Sequence, residues 1–483
     1  MAWAALTPLL VSLARRPGIP ARRACALGLV TGAVGFGGTM YWTPAVMSTF
    51  GGVNLPLSVA LGALLVGYLA LYPALFAVLQ ARACAAFGRR ALWLAPVIWV
   101  ATELLRRYVL SGFPLVLLGY SQATVTPIVQ LASLVGVYGL SALVALVSVA
   151  LAFTTVGSAR ERVAAPVAAL VLVAAVGAWG ARRVADGGLV STGDPIRVAL
   201  VQGNILQEQK WDPGRAGSIL ETYLRLTREA ASHGARLVLW PESATPFYYE
   251  HDAAGNAAIR SLVQDTGIYL LFGSDQYEPG PPARWFNSAF MLDRSGATAA
   301  VYRKMHLVPF GEYVPLKTLL FFAAPLVEAV SDFSPGEEPV VMPVGVQRMS
   351  TAICYEVVYP DLVASFTARG SQLLGTITND AWYGRSSAPH QHFWQAAVRA
   401  VEQGRYLVRA ANTGISGIVD PYGRVVARSG IFERTVVEGT VRFPDTRTLY
   451  GRTGDAFAWA CAALALLAAL ASPRRVARGG ASR

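Results

Sequence analysis

Long apolar runs separated by short polar gaps dominate the first 180 residues or so, and a more polar stretch follows. Crossing a bilayer takes roughly 20 apolar residues in a helix, because every backbone polar group must be satisfied within the segment. The pattern predicts seven membrane-spanning helices, of which the first is short for a span. They lie at about 2–14, 24–46, 55–80, 91–109, 131–156, 163–181 and 455–471.

The polar stretch alternates between the patterns of strands and helices. Residues 196–202 and 235–240 form short apolar runs typical of buried strands, and 214–232 between them has helical periodicity. This mixture indicates an α/β domain. Further strands are predicted near 268–275, 287–293, 299–304, 348–354, 372–378, 415–420 and 424–428, and further helices near 254–265, 358–369 and 389–403.

Composition and charge place the chain in a membrane. It is 54% hydrophobic and 14% charged, whereas soluble proteins have roughly 25% charged residues. Arginines in four short segments, with Glu161 as the one acid among them, account for the net charge of +12; the segments are 15–23, 81–90, 157–162 and 473–483. Because basic residues mark cytoplasmic loops, this charge indicates topology and no nucleic-acid partner.

The gaps 47–54 and 110–130 carry no charge, so basic and uncharged gaps alternate as serial spans require. The polar domain then lies outside the cytoplasm. Seven spans would place Met1 outside as well, so we expect a first span to be missing upstream. We divide the chain into N-terminal transmembrane helices (1–183), an extracytoplasmic catalytic domain (190–447), a C-terminal transmembrane helix (453–472) and a basic cytoplasmic tail (473–483).

Candidate chemistry centres on Cys354, the only cysteine in the polar domain; Cys25, Cys84 and Cys461 lie in or next to predicted spans. The domain therefore has no cysteine pair for an internal disulfide. Taken alone, the thiol is better explained as a small buried apolar residue.

Three predicted strands end in groups that suit thiol chemistry: Glu242, Lys304 and Cys354. Catalytic groups often follow a strand, where a rigid backbone opens into a loop. The carboxylate can take the thiol proton as general base, and the ammonium can lower the thiol pKa and stabilise an oxyanion. Each residue has an ordinary alternative as a surface charge or core residue, but together they favour a catalytic triad.

These residues resemble the nitrilase superfamily, whose domain is an α-β-β-α sandwich with a Glu-Lys-Cys triad. The closer resemblance is to the apolipoprotein N-acyltransferase family, which adds membrane spans before this domain and one after it. The family normally has eight spans, and the first is absent from the pattern here. The resemblance rests on residues 119–122, 201–204, 240–243, 304–312, 353–356 and 379–384.

The resemblance implies a multi-span α-helical membrane domain joined to an α/β nitrilase-like sandwich in the bacterial inner membrane. It also implies a reaction of lipoprotein biosynthesis. An acyl chain passes from a membrane glycerophospholipid to a thioester on Cys354. It then passes to the N-terminal amine of diacylglyceryl-cysteine on an apolipoprotein. No cofactor or metal is expected, and the chain is expected to be a monomer.

Roles for individual residues follow from the same resemblance: Cys354 as nucleophile, Glu242 as base and Lys304 as oxyanion stabiliser. The resemblance also assigns five further residues. They are Glu312, which supports the site; Tyr355 and Glu356, which flank the nucleophile; and Trp211 and Trp382, which line the lipid site. Both tryptophans are alternatively ordinary core aromatics. The apolar segment 316–330 is expected to dip into lipid or to form a core helix.

Other interpretations remain open at this stage. A membrane-anchored nitrilase-like amidase or hydrolase would use the same triad but pass the acyl group to water, although one anchor would suffice for it. A non-catalytic receptor or scaffold would not need an intact triad. His390 and His392 are close in sequence but lack further metal donors, so we assign them to a helix start or to the surface.

Overall fold

The computed structural model describes residues 2–16, 18–309, 311–313 and 333–471. The part before residue 192 is helical. Its helices are α1 (Thr7–Ala14), α2 (Ala21–Thr39), α3 (Thr43–Phe50), α4 (Leu55–Phe87), α5 (Ala95–Tyr108), α6 (Thr126–Val129), α7 (Ala132–Val156), α8 (Ala159–Asp186) and α9 (Gly188–Ser191). The apolar helix α15 (Ala456–Ala471) follows the α/β domain, after the short α14 (Leu449–Thr453).

Among the described residues, three helical stretches are long and apolar enough to cross a membrane, and α2 with α3, bent by 52°, would make a fourth. The three are Leu55–Ser111, Ala132–Val156 and Ala159–Ser191. The seven spans predicted from apolar length are therefore not all present by this measure. Over the described residues, the helices at the predicted spans 2–14 and 455–471 are shorter than the roughly 20 residues a span needs. The two predicted at 55–80 and 91–109 fall in one helical stretch, within which Gly88 (φ 69°) interrupts the α-helical geometry.

Local sequence explains where the long helices begin. The Asn54 side chain accepts the Leu57 N–H at 3.0 Å and caps α4, which has a proline in its first turn. Ser158 and Glu161 form a reciprocal capping box at the start of α8. Such caps satisfy amide groups that have no partner inside the helix.

The described part of the α/β domain contains two six-stranded sheets. Within each sheet, three successive strands are parallel: β1 to β3 in the first and β7 to β9 in the second. In the first sheet the strand order is β12-β1-β2-β3-β4-β5, and in the second it is β11-β10-β9-β8-β7-β6. The strands are β1 (Pro195–Gln202), β2 (Leu237–Leu239), β3 (Tyr269–Glu278), β4 (Arg284–Leu292), β5 (Thr298–Arg303), β6 (Met342–Val344), β7 (Gln347–Ile353), β8 (Leu373–Thr378), β9 (Leu407–Ala411), β10 (Gly417–Val419), β11 (Val425–Arg428) and β12 (Thr435–Arg442).

Side-chain alternation shows how the sheets are layered. Leu200 and Leu239 belong to the core shared with the second sheet, whereas their neighbours Val201 and Val238 pack in a separate core with helices α10 (Ala216–Ser232) and α11 (Ala253–Thr266). Helices α12 (Pro360–Ala368) and α13 (Ala388–Gln403) contribute to the core on the second sheet. A sheet buried on both faces gives this near-continuous apolar pattern. The predicted α-β-β-α sandwich is confirmed.

Polar contacts connect the sandwich to the membrane helices. The Arg107 guanidinium of α5 binds both carboxylate oxygens of Asp361 in α12, at 2.9 and 2.6 Å. Glu402 in α13 accepts the Val137 N–H at 2.8 Å, at a kink in α7. The α/β domain is thus oriented against the membrane helices by ionic and backbone hydrogen bonds.

Candidate active site

Glu242 lies just beyond the end of β2 and is almost completely buried. Its Oε1 accepts the Asn287 amide at 2.7 Å and lies 3.3 Å from Lys304 Nζ, and its Oε2 accepts the Asn379 N–H at 2.9 Å. Gly273 permits this arrangement, because a Cβ there would lie 2.7 Å from the Glu242 Cα. Burial works to raise the pKa of the Glu242 carboxyl, but Lys304 and Lys210 outweigh it and hold that pKa below its usual value.

Lys304 follows β5, and its side chain is 1% exposed. Its ammonium donates to Oε1 of Glu312 at 2.8 Å and to Oε1 of Glu242 at 3.3 Å. Burial opposes the charged form, but Glu312 and then Glu242 raise the pKa of Lys304 well above its usual value. The lysine is therefore a fixed positive charge. The second oxygen of Glu312 accepts the Val308 N–H at 2.8 Å, which anchors this carboxylate.

Cys354 follows β7 directly; the strand ends at Ile353, one residue earlier than predicted. Its backbone has φ 55°, in the left-handed region that residues with a Cβ rarely adopt. Burial and then Glu242 raise the pKa of the Cys354 thiol, and Lys304 offsets this only in part. We expected Lys304 to lower this pKa; its effect has that sign, but burial dominates. The resting thiol is therefore protonated and needs a base to become a nucleophile.

Glu356 ties the turn after Cys354 to the loop after Lys304. One carboxylate oxygen accepts the Tyr302 hydroxyl at 2.8 Å and the Met305 N–H at 2.6 Å, and the other accepts the Ile353 N–H at 2.8 Å. Burial raises the pKa of Glu356 to about 7. Its contacts are with the framework of the site, which fits a supporting position.

Comparison with known proteins identifies the family. Residues 197–450 match the carbon-nitrogen hydrolase family, and residues 1–150 match the apolipoprotein N-acyltransferase N-terminal domain. The apolipoprotein N-acyltransferase of Geobacter metallireducens is 41% identical over 98% of this chain and 91% of its own length. The chain belongs to the apolipoprotein N-acyltransferase family. The Methylococcus capsulatus relative is 35% identical over 94% of this chain and 89% of its own length. A solved amidase from Nesterenkonia sp. covers 56% of this chain and 97% of its own length, at 27% identity and a TM-score of 0.42.

In this family member, Trp382 and Tyr355 lie towards the membrane helices. Trp382 follows β8 and packs edge-on against Phe50 of α3, with ring centroids 5.2 Å apart. Tyr355 is buried, with its ring 6.3 Å from Phe113, which precedes α6 in the chain. Trp211 is 48% exposed on the loop after β1, so it is not a core aromatic. The apolar segment 316–330, predicted to dip into lipid or to form a core helix, lies outside the described residues.

Two residues of the site were not predicted from the sequence. Asn287 in β4 donates through one amide nitrogen to Oε1 of both Glu242 and Glu312, at 2.7 and 3.0 Å. Lys210 is buried and donates to the Glu242 backbone oxygen at 3.1 Å. The sequence does carry a signal for Asn287, because it is a polar residue midway along an apolar strand, Trp285-Phe-Asn-Ser-Ala-Phe290.

Of the two histidines assigned to a helix start or to the surface, only one is at the surface. Both lie in the first turns of α13, as predicted, and His390 is exposed. His392 is only 4% exposed and contacts the Cys354 carbonyl oxygen. The helix turns it towards the second sheet, because positions 390 and 392 lie on different faces of a 3.6-residue helix.

Proposed function

We propose that this enzyme transfers an acyl chain from a membrane glycerophospholipid, through a thioester on Cys354, to the N-terminal amine of diacylglyceryl-cysteine on an apolipoprotein. The observation that carries the proposal is the buried charge cluster. Glu242 is held ionised between Lys304 and Asn287. Both charged groups act on the pKa of the Cys354 thiol, which Glu242 raises and Lys304 lowers. A base, a fixed cation and a protonated thiol are the parts that acyl transfer through a thioester needs.

In the first half-reaction, Glu242 takes the thiol proton as the Cys354 sulfur attacks the ester carbonyl carbon. A C–S bond forms, and the carbonyl oxygen becomes an oxyanion that the Lys304 ammonium stabilises. When the intermediate collapses, the C–O bond of the ester breaks. The leaving alkoxide takes the proton from Glu242, and a lysophospholipid departs.

In the second half-reaction, the uncharged amine of the acceptor attacks the thioester carbonyl. A C–N bond forms, Glu242 accepts a proton from the attacking nitrogen, and Lys304 again stabilises the oxyanion. Collapse breaks the C–S bond, and the thiolate recovers the proton from Glu242. Acyl-enzyme and free enzyme thus alternate, and the products are an amide and the resting thiol.

Burial of the three groups supports transfer to an amine over transfer to water. Cys354 is 7% exposed and Lys304 1%, and exclusion of water prevents hydrolysis of a reactive intermediate. A membrane-anchored amidase is not favoured, because residues 1–150 match the N-terminal domain of the acyltransferase family. A non-catalytic scaffold would not need to keep a buried carboxylate ionised beside a thiol.

The decisive experiment supplies purified enzyme with a phospholipid labelled in its acyl chain and a diacylglyceryl peptide. We expect a hydroxylamine-sensitive label on the wild-type protein, then labelled N-acyl peptide, and neither product with Cys354→Ala. Free fatty acid without acylated peptide would show a hydrolase. Equal labelling of wild type and Cys354→Ala would exclude the thioester.

We further propose that the α/β domain faces the extracytoplasmic side of the bacterial inner membrane, since the basic gaps identify the cytoplasmic side. Two exposed positions can report this: Val346 in the α/β domain, 92% exposed, and Arg90, whose side chain is 85% exposed. A membrane-impermeant maleimide added to spheroplasts is expected to label Val346→Cys but not Arg90→Cys. The opposite labelling would reverse the topology.

A further inference from the structure

The carbonyl oxygen of Cys354 has a side-chain partner from a distant part of the chain. Nε2 of His392, in the second turn of α13, lies 3.0 Å from this oxygen. A carbonyl oxygen can only accept a hydrogen bond, so the ring must donate through Nε2. This contact fixes the peptide that follows the proposed nucleophile.

The opposite edge of the His392 ring, at Nδ1, contacts a buried ion pair. His392 Nδ1 lies 3.0 Å from Asp380 Oδ1 and 2.9 Å from Arg409 Nη2. The same guanidinium nitrogen donates to Asp380 Oδ2 at 2.8 Å, and neither of these charged residues is exposed. Gly414 leaves room for this arrangement, because a Cβ there would lie 2.2 Å from Asp380 Oδ2. The imidazole therefore cannot turn without breaking contacts on both sides.

Cys354 needs such a restraint. Its φ of 55° lies in the left-handed region, where a side chain with a Cβ crowds its own backbone. Strained backbone of this kind persists only where the surroundings hold it, and it clusters at functional sites. The peptide oxygen of Cys354 is the point at which His392 can hold it, because the two backbone dihedrals of that residue set the direction of the Cα–Cβ bond from which Sγ extends.

We propose that His392 is a positioning residue for acyl transfer. Its Nε2–H donates to the Cys354 carbonyl oxygen and keeps the thiol aimed at Glu242 and Lys304. The Asp380–Arg409 ion pair fixes the ring for this purpose. The inference rests on the proposed role of Cys354 and adds a residue that touches neither substrate nor the reacting sulfur.

Two amide replacements separate the bonds made by the two ring nitrogens. His392→Gln places an amide nitrogen near the position of Nε2 and can still donate to Cys354, whereas His392→Asn places it near Nδ1 and cannot reach. Misplacement of the Cys354 thiol is expected to lower the rate of acyl transfer on the order of 10- to 100-fold. We expect that loss in kcat for His392→Asn, with the phospholipid KM unchanged, and rescue of most of kcat in His392→Gln. His390→Asn, on the exposed side of the same helix, is the matched control and should keep wild-type kinetics.

A merely structural role predicts a different result. It would lower the yield and melting temperature of both His392 variants together, with the surviving protein equally active. Equal kcat for the Asn and Gln variants, or wild-type kcat for both, would overturn the proposal. So would loss of kcat in His392→Gln alone.

A measurement on the wild-type protein covers the case in which the variants do not fold. NMR of detergent-solubilised enzyme with ¹⁵N-labelled histidine records the ring nitrogens of the chain's five histidines. The His392 signal is the one absent from the His392→Gln spectrum. Where that variant does not fold, it is the signal that shifts when Cys354 is alkylated. A protonated Nε2 supports the proposal, and an unprotonated Nε2 overturns it. Acyl labelling of Cys354→Ala would instead refute the thioester itself, so the two failures are distinguishable.

Discussion

The ammonium of Lys304 lies closer to Glu312 than to the proposed base: its Nζ is 2.8 Å from Oε1 of Glu312 and 3.3 Å from Oε1 of Glu242. A second carboxylate thus takes up part of the lysine charge. Glu242 is paired firmly enough to stay ionised but is not neutralised by a close contact with Lys304. The arrangement keeps a base and a cation side by side without a tight mutual ion pair.

Glu312→Gln tests this division of charge. The amide has the same shape but no charge, so Lys304 is expected to move towards Glu242 and make it a weaker base. We expect kcat/KM for acyl transfer to fall about 10²-fold, the size of effect seen when one preorganised electrostatic group is removed. Glu338→Gln is the control: the Glu338 side chain is 70% exposed and pairs with Arg369 at the surface. Near-normal activity of Glu312→Gln would contradict the division.

The hydrogen bond from Asn287 to Glu242 leads to a prediction about the acid limb of the pH profile of kcat/KM. Its amide donates to the ionised Glu242, and hydrogen bonding to a charged carboxylate lowers its pKa. Asn287→Leu removes the donor at similar volume, so the pKa of Glu242 should rise. In the proposed mechanism Glu242 acts as the base in its ionised form, so activity should be lost as pH falls through this pKa. The acid limb of kcat/KM should therefore move to higher pH.

Asn287→Asp sharpens the same test, because a third carboxylate should shift the limb further in the same direction. Asn256→Leu, in helix α11 away from the site, is the control. The measurement is the pH profile of acylation by labelled phospholipid. A limb that stays in place or moves to lower pH in Asn287→Leu would show that Glu242 is not the group that titrates.

The sequence predicted the positions of those site residues that lie just past the end of a strand. Glu242 and Lys304 each follow an apolar run directly, so their positions on the fold could be read before the structure was known. Asn287 lies within β4, and its direction depends on the register with β5, in which Ser288 pairs with Arg303. His392 depends on how α13 lies on the second sheet. A strand buried on both faces has a near-continuous apolar pattern that does not show which way a given side chain points. The rotation of a helix on a sheet is likewise a tertiary property.

The membrane helices show a different limit. Hydropathy identified the apolar segments but counted seven spans, because it took the short apolar runs 2–14 and 455–471 as spans and divided the stretch Leu55–Ser111 at its basic gap 81–90. Gly88 interrupts one stretch, and a 52° bend separates α2 from α3. Strands β6, β9 and β12 were also not predicted. Two of these pair with neighbours at a sheet edge, where packing against other strands decides the structure more than local pattern does.

Trp382 is expected to affect lipid binding more than chemistry, because its ring packs against Phe50 of the membrane helices. Trp382 is proposed to line the lipid site, where loss of one aromatic contact of about 0.5–1.5 kcal/mol with the lipid corresponds to about a 2- to 10-fold change in binding. Trp382→Ala should raise the phospholipid KM by that factor with little change in kcat, and Trp382→Phe should restore it. Steady-state kinetics in mixed micelles measure both constants. A fall in kcat at constant KM would place Trp382 in the chemistry instead.

Arg107 and Asp361 provide a test of how the α/β domain is held on the membrane helices. The guanidinium binds both carboxylate oxygens, at 2.9 and 2.6 Å, and also lies 4.3 Å from the centre of the Tyr359 ring. The Arg107 side chain is 6% exposed and that of Asp361 35%, so the pair is only partly screened by water. Hydrogen bonds to charged groups contribute about 1.5–3 kcal/mol. Asp361→Asn keeps the shape but loses the charge, and Arg107→Lys keeps the charge but loses the bidentate geometry.

We expect either single variant to lower the melting temperature in detergent by about 1 °C for each kcal/mol lost, because the unfolding entropy grows with chain length. The double variant should lose less than the sum of the two, because the second change removes a partner that is already unpaired. The exposed pair of Arg369 and Glu338 is the matched control, since such surface pairs contribute about 0–1 kcal/mol. Additive losses at Arg107 and Asp361 would mean that the two residues stabilise the protein independently, and that this contact does not fasten the two parts together.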